Sequence, residues 1–534
     1  MSEEITTDYC IIGAGIAGIL LAHKLSASGK DILILEQGPH FTEQDRAKLL
    51  SESKESLNDM VDYNDHTDPN LLTSHTTAKA ENQVVEYSNL RLFGVGGTAL
   101  HFQGIMMRPL EEDLKVKTLF GYGRDWPLSY AELEPWLVKA EYEIGVSGND
   151  DNPYASPRSA PLPMPAHPFS YFDREILGPA LEKLGITGHS CPWSVNSRNY
   201  KGRSACLACR ACIFCPSGAR YSPDRVHLRD LNQRPNVRLI PQVSLRRLET
   251  HPDHGRITAA HAMTMPEKSP LLVKAKNYIL AMGGIETPRA LLLSAGGGPH
   301  KDGLGNAGGQ LGSGFSDHDG PISVINAGRK VGGRLGFETM MTDHFRTHVD
   351  RRKEATFTLF ASPAMDWIDA GNFAVPWATK NEILSLQEIR QELPNYVSIW
   401  TQNELQGNGE LKLDPENLDI FGSPLAKISM KLNDWDRNGF DHANKVISQI
   451  GEAMGASAIS EPVPPGSQLG YHPSGATAMA ESPDEGVCDA NLKVFGLSNL
   501  HLVSNSVFPH MGSNPPTLTI AALALRLATH LEKV

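Results

Sequence analysis

Four cysteines, Cys206, Cys209, Cys212 and Cys215, recur at every third position, and Pro216 follows the last. Thiolates at this spacing present three sulfurs to one iron–sulfur cluster, and a Cys-Pro ending is typical of bacterial ferredoxin runs. Those runs place three residues before the final cysteine where this sequence has two, so a single cluster would use three of the thiols or all four. Zinc on four cysteines is a second reading, although it favours two pairs divided by a longer spacer. A loop of free or disulfide-bonded thiols without metal is the third. A different chemistry is available at His472, in GYHPSG, and Asn514, in GSNPPTLT. Oxidising an alcohol needs a base for the hydroxyl proton and an acceptor for the hydride on carbon. A neutral histidine suits the first task, and an asparagine or second histidine can hold the reacting oxygen. Taken singly, His472 reads better as a core histidine and Asn514 as a helix cap or a turn residue before two prolines. His510 is the alternative for the second position.

The elements that would position a hydride acceptor begin at residues 9–36, YCIIGAGIAGILLAHKLSASGKDILILE. The pattern predicts a buried strand at 9–12, a turn through Gly13 and Gly15 into a helix to Leu25, and a second apolar strand at 31–35 ending on Glu36. Gly13 serves the tight turn, Gly15 the close approach to a pyrophosphate, and Gly18 the packing of helix on strand. The helix N-terminus offers free N–H groups to phosphates, and Glu36 can accept a hydrogen bond from an adenosine ribose. This frame points to a dinucleotide without separating FAD from NAD. A second glycine loop, residues 91–108 (RLFGVGGTALHFQGIMMR), has Gly94, Gly96 and Gly97. It reads as a backbone surface for a flat ligand or as a plain loop.

Residues 41–84 are polar and read as a surface excursion, and the six prolines of 150–170 as an extended connector. A helical pattern covers 171–185. Residues 236–248 and 257–265 alternate like short strands, expected as a small sheet beside the dinucleotide domain. Residues 274–289 form a strand entering GGIETP, and 312–320 a turn-rich hinge in which Asp317 and His318 are taken as structural. From 321 to 463 strand-like runs at 321–327, 355–361, 396–402 and 425–430 predict an antiparallel sheet backed by helices. Residues 520–531 predict an amphipathic helix introduced by Pro515 and Pro516.

The 534 residues carry a formal net charge of −12, which argues against electrostatic nucleic-acid binding. No run approaches the ~18 apolar residues of a membrane span. The start, MSEEITTDYC, is acidic and shows no basic n-region, apolar h-region or twin arginine. The expectation is a soluble chain made in the cytoplasm, exported only with a partner.

Five segments carry a resemblance in the same order along the chain. They are the loop at 91–108, 124–142 (RDWPLSYAELEPWLVKAEY), 279–289 (ILAMGGIETPR), 470–479 (GYHPSGATAM) and 503–527 (VSNSVFPHMGSNPPTLTIAALALRL). Together they resemble the glucose–methanol–choline oxidoreductase family, closest in pattern to its bacterial sugar-dehydrogenase catalytic subunits. The resemblance implies an α/β fold: a Rossmann-like FAD domain assembled from 1–320 and 464–534, with a substrate domain at 321–463. It implies His472 as the base and Asn514 as its partner. Flavin contacts are implied at Gly96, Gly97, Thr98, Val243, Asn505 and Thr517, with His101 either a covalent tether or a wall of the flavin pocket. It favours an iron–sulfur cluster, [3Fe-4S] or [4Fe-4S], on the four cysteines. The implied substrate is a pyranose or glycoside oxidised at C1 or C3, with electrons leaving for a cytochrome or quinone-linked acceptor. A small chaperone-like subunit and a cytochrome c subunit are the implied partners, and the periplasm the implied compartment, with the cytoplasm as alternative. The rival within the family is an oxygen-using oxidase whose cysteines bind zinc or nothing.

Overall fold

The apolar runs at 9–12 (YCII) and 32–35 (ILIL) form two neighbouring strands at the centre of the protein. The computed structural model describes residues 3–55, 77–80, 83–86, 91–209, 212–251, 253–332, 337–363, 395–460, 464–466 and 471–533. The expected surface excursion at 41–84 and the 321–463 region fall partly outside these residues.

Strand Glu3–Ile12 pairs in parallel with Ile32–Leu35 on one side and Pro270–Leu280 on the other, with Ile12 opposite both Leu35 and Leu280. Val237–Ile240 extends this sheet beyond Ile32–Leu35, again in parallel. Pro270–Leu280 is long enough for its outer edge to serve two neighbours. Its first half takes the antiparallel hairpin Val243–Thr250 and Ile257–Thr264, and its last residues pair with Leu500–Leu502. The strands at 236–248 and 257–265 therefore belong to the main seven-stranded sheet and do not form the separate small sheet expected from the sequence. The hairpin joins because the central strand offers unpaired backbone groups along its first half, and a sheet edge recruits whatever strand lies nearest.

A six-stranded antiparallel sheet runs in the order Ala458–Ile459, Ile322–Asn326, Tyr396–Asn403, Phe357–Pro363, Met340–Thr342, His189–Ser190. The helix Asp434–Met454 covers it, burying Ala443, Val446, Ile447 and Ile450 against Ile325, Val397 and Ile399. That helix starts with a capping box in which Asn433 accepts from the Asp436 N–H and Asp436 accepts in return from the Asn433 N–H. A third sheet joins Ser313–Phe315, Gly409–Leu418, Pro424–Met430, Thr77–Ala80 and Gln83–Glu86.

The last helix, Thr517–Leu531, is buried on nearly every side and departs from the expected amphipathic pattern. It lies between the first helix, Ile16–Leu25, and the helix Tyr130–Ile144. Ala521, Ala522, Ala524 and Ala528 keep its girth small enough for two neighbours at once. The Tyr9 hydroxyl donates to the Leu531 carbonyl at 3.1 Å, fastening the final turn to the first strand.

Candidate active site

The two glycine loops meet. Gly13 has φ +106°, and a Cβ there would lie 2.4 Å from the Ala281 carbonyl oxygen. Gly97 has φ +58°, and its Cβ would lie 2.9 Å from the Gly15 Cα, while the Gly96 N–H donates to the Ala14 carbonyl at 2.8 Å. Gly18, one turn into the first helix, is required because any side chain would strike the Gly13 carbonyl. The helix starts at Gly15 without a side-chain cap or an acidic residue in its first turn, so its leading N–H groups are left for an anion. Glu36 accepts from the Ala14 N–H at 2.8 Å and the Gly38 N–H at 2.9 Å, and burial pushes its carboxyl up to about 7. The Val243 N–H donates to the Glu36 carbonyl at 2.8 Å. Gly13, Gly15, Gly18, Glu36, Gly96, Gly97 and Val243 thus gather at the carboxyl ends of the parallel strands, where dinucleotides bind in such sheets. The loop continues through a short 3-10 turn, Gly97–Leu100, where Thr98 is exposed and the following His101 partly so.

A second cluster forms where residues 316–320 meet the segment after 470. Ser316 and Ser474 exchange backbone hydrogen bonds of 2.9 and 2.8 Å. Asp317 is fully buried, and one of its oxygens accepts from the His318 N–H at 2.7 Å and the His472 N–H at 2.8 Å. The two imidazoles face each other edge to face, Nδ1 to Nδ1 at 2.9 Å, and His318 Nε2 lies 2.6 Å from the Gly512 carbonyl oxygen. Burial drives the His318 ring down to about 4. Burial holds the His472 ring well below the usual histidine range. Asn505 buttresses the same segment, its amide donating to the Pro473 carbonyl and its own carbonyl accepting from the Gly475 N–H.

Asn514, two residues after the Gly512 whose carbonyl meets His318, is buried, and Arg346 Nη2 donates to its Oδ1 at 3.4 Å. A guanidinium can only donate, so the amide oxygen faces it and the Nδ2 group is left as the donor. Nδ2 spends one hydrogen on the Pro515 carbonyl at 3.3 Å. Behind Asn514 lies a buried charge network. Arg346 and Arg351 share Asp113 at 3.1 and 2.9 Å, and Arg351 reaches Glu404 at 2.9 Å. His510 Nε2 lies 3.0 Å from Glu404, so the histidine weighed against Asn514 is committed to a carboxylate. Arg351 and His510 hold Glu404 well below the usual carboxylate range, against the cost of its burial. Thr517 opens the last helix and is partly exposed.

The cysteine loop lies alongside the second glycine loop. Cys215 is buried, Cys206 and Cys212 are half-buried and Cys209 is exposed. Cys206 Sγ accepts from the Ala208 N–H at 3.4 Å and Cys215 Sγ from the Arg220 N–H at 3.1 Å. Ala208 and Cys215 take φ of +51° and +38°, a left-handed conformation costly for residues with a Cβ. Among the described residues no three of the four sulfurs lie within 4.8 Å of one another; His23, Glu143 and His227 do form such a group. Arg220 joins the two loops. Its guanidinium donates to the carbonyls of Cys212 and Ile213 and, across the gap, to those of Ala99, Leu100 and Phe102. Sequence reasoning passed over Arg220, Arg346 and Glu404, and took His318 for a hinge residue; the DHD triplet at 317–319 was the one available signal.

Models of known families match along most of the chain. A GMC oxidoreductase N-terminal model covers residues 94–320, a GMC oxidoreductase C-terminal model 406–524, and an NAD(P)-binding Rossmann-like model 11–44. The large subunit of fructose dehydrogenase from Gluconobacter japonicus is 30% identical over 545 residues, spanning 99% of this chain and 98% of that protein. The gluconate 2-dehydrogenase flavoprotein of Pantoea cypripedii is 25% identical over 603 residues, spanning 98% and 93%. A crystal structure of formate oxidase shares the fold, with a TM-score of 0.69 at 16% identity over 100% of this chain and 99% of that one.

Proposed function

The chain belongs to the GMC oxidoreductases, FAD-dependent enzymes, and from that premise we propose that it is a dehydrogenase for a hydroxyl of a pyranose sugar or glycoside, at C1 or C3. One observation carries the reading: His472 faces His318 at 2.9 Å, and His318 in turn reaches the Gly512 carbonyl, two residues before Asn514. His472 Nε2 makes no hydrogen bond among the described residues, and the Asn514 amide presents its donor end. A substrate hydroxyl between them gives its proton to His472 while its oxygen accepts from Asn514 Nδ2. FAD, when bound, supplies the acceptor for the hydride.

The residues present fit FAD. Any side chain at Gly13 or Gly97 would fill the cradle where the glycine loops touch. Gly13, Gly15 and the leading N–H groups of the first helix are assigned to the pyrophosphate. Glu36, at the end of the second strand of this frame, is assigned to the adenosine ribose. Gly96, Thr98, Val243, Asn505 and Thr517 are assigned to the remaining contacts, with His101 as tether or wall. Acid precipitation separates those two roles: yellow colour in the pellet marks a covalent link, and colour wholly in the supernatant excludes it. On this reading 1–320 and 464–534 form the FAD-binding part and 321–463 the substrate-binding part.

Cys206, Cys209, Cys212 and Cys215 are assigned to an iron–sulfur cluster, which would supply one-electron transfer to an outside acceptor. The donor set fits: two of the four sulfurs already accept backbone N–H groups, a common environment for cluster thiolates. The sulfurs would have to draw together around the metal, as ligands of metal-dependent loops do. A cytochrome c or quinone-linked subunit and a small chaperone-like subunit complete the proposed assembly, and the relative named as a large subunit supports one. Periplasmic residence would follow from export with such a partner; cytoplasmic residence is the alternative. No helix among the described residues is long and apolar enough to cross a membrane.

The test is anaerobic. Chain purified without air is mixed with a panel of sugars and glycosides while the flavin band near 450 nm is followed, and iron and acid-labile sulfide are assayed on the same sample. Bleaching by one sugar class supports the reading, and a flavin that none of them bleaches refutes it. Iron and sulfide in stoichiometric amounts support the cluster; their absence leaves the dehydrogenase reading standing without it. Rapid peroxide formation in air would move the chain to the oxidases.

A further inference from the structure

The facing pair His318 and His472 fixes where protons sit. The partner of His318 Nε2 is the Gly512 carbonyl oxygen, 2.6 Å away, which can only accept. Nε2 of His318 therefore carries a hydrogen. A neutral imidazole has one N–H, so Nδ1 of His318 is a bare lone pair. The ring is 3% exposed, and burial keeps it neutral down to acidic pH. Two nitrogens 2.9 Å apart need one hydrogen between them. His318 has none to give on that side, so the hydrogen belongs to His472 Nδ1. That leaves Nε2 of His472 unprotonated, the state a base requires.

We propose that His318 is a positioning residue that holds His472 in the tautomer with a free Nε2, so that every resting molecule presents a base to the substrate hydroxyl. This rests on the reading of His472 as the base. The role differs from that of a carboxylate behind a catalytic histidine, because His318 brings no charge. It sets the tautomer and the ring plane and leaves the basicity of His472 low. The backbone completes the arrangement: one oxygen of Asp317 takes the N–H groups of both residues and so fixes the two main chains relative to each other. The charged and titratable groups nearest His318 besides Asp317 are Glu404, His510 and Arg346, and all are buried.

Three variants of the FAD-loaded enzyme test this, with anaerobic flavin reduction as the readout. His318→Gln keeps an acceptor for His472 and a donor for Gly512; His318→Met keeps bulk and loses both. The expected rate constant for reduction falls at least about tenfold in the Met variant with substrate KM little changed, and the Gln variant recovers most of it. In the Met variant the acid limb of the pH–rate profile also moves to lower pH, since the imidazolium formed on His472 loses its hydrogen-bond acceptor. Loss of packing alone would lower FAD content without separating Gln from Met. Equal rates and equal acid limbs in the two variants, both carrying FAD, overturn the proposal. His472→Ala is the third variant: if it still reduces flavin at the wild-type rate, the base assignment fails and His318 falls with it. Should the Met variant not hold FAD, nitrogen-15 spectra of histidine-labelled wild-type enzyme decide. The His472 signals, identified by their loss in His472→Ala, are expected as protonated Nδ1 and bare Nε2; the reverse assignment overturns the proposal.

Discussion

His472 sits in a position where its chemistry is set by neighbours far away in the chain. His472→Ala should retain FAD and lose turnover by about 100-fold or more, the usual scale for a general base, as measured by anaerobic flavin reduction. The pH dependence follows from the direction of its shift. A histidine held below its ordinary value of 6.5 stays neutral to lower pH, so the rate of flavin reduction should be flat through neutrality and fall only below pH 6.5. A half-maximal point above 6.5 would contradict this. The residue types were readable beforehand: histidine and asparagine in two short motifs, with the second given preference over His510. His510 itself is engaged by Glu404. The partner of His472 was not readable, because His318 is 154 positions away and local sequence carries no trace of a contact at that range.

At the scale of elements, loops that look independent in the sequence are joined by single side chains. Arg220 donates to five carbonyls on two loops, a task only a planar fork with five N–H groups can perform. Arg220→Lys should leave several of these carbonyls unmet at about 1–3 kcal/mol each. The expected result is a lower melting temperature and FAD loss during gel filtration, while a variant indistinguishable from wild type in both would remove Arg220 from this role. The strand–turn–helix–strand at 9–36 was legible because each of its glycines answers a local need. The sheet membership of 236–265 was not. Alternation announces a strand but leaves its neighbour unspecified: Val237–Ile240 finds Ile32–Leu35, and Ile257–Thr264 finds the first half of Pro270–Leu280. The last helix misled for a related reason. Its apolar residues fit one stripe, yet the small alanines between them admit a second helix on the other side.

The whole molecule is closed by residues from opposite ends. The last helix lies on the first, and the carboxylates of Asp113 and Glu404 meet the guanidiniums of Arg346 and Arg351 beneath Asn514. Glu404→Gln removes one charge from a fully buried pair and should cost about 3–5 kcal/mol of stability, read from denaturant unfolding near pH 7. The sign against pH is fixed: Glu404 titrates lower in the folded protein than its unfolded value of 4.5, so its contribution is present above pH 4.5 and lost as pH falls further. The deficit of the Gln variant should therefore shrink in acid. Family and overall class were legible in the order of five motifs. This buried lattice was not, since charged residues in a sequence read as surface until a partner is known.

The carbonyl that ends the histidine pair gives the proton nowhere further to run. An amide oxygen does not take up a proton at ordinary pH, so if His472 is the base, a proton it takes from the substrate hydroxyl would leave by the way it came in. On the proposed reading the base is reset by water only once the oxidised substrate has left, which would make emptying the pocket a precondition for the next turnover. In deuterium oxide the slowing should show in the first anaerobic reduction of the flavin and be larger in steady-state cycling under saturating sugar, where the base must also be reset.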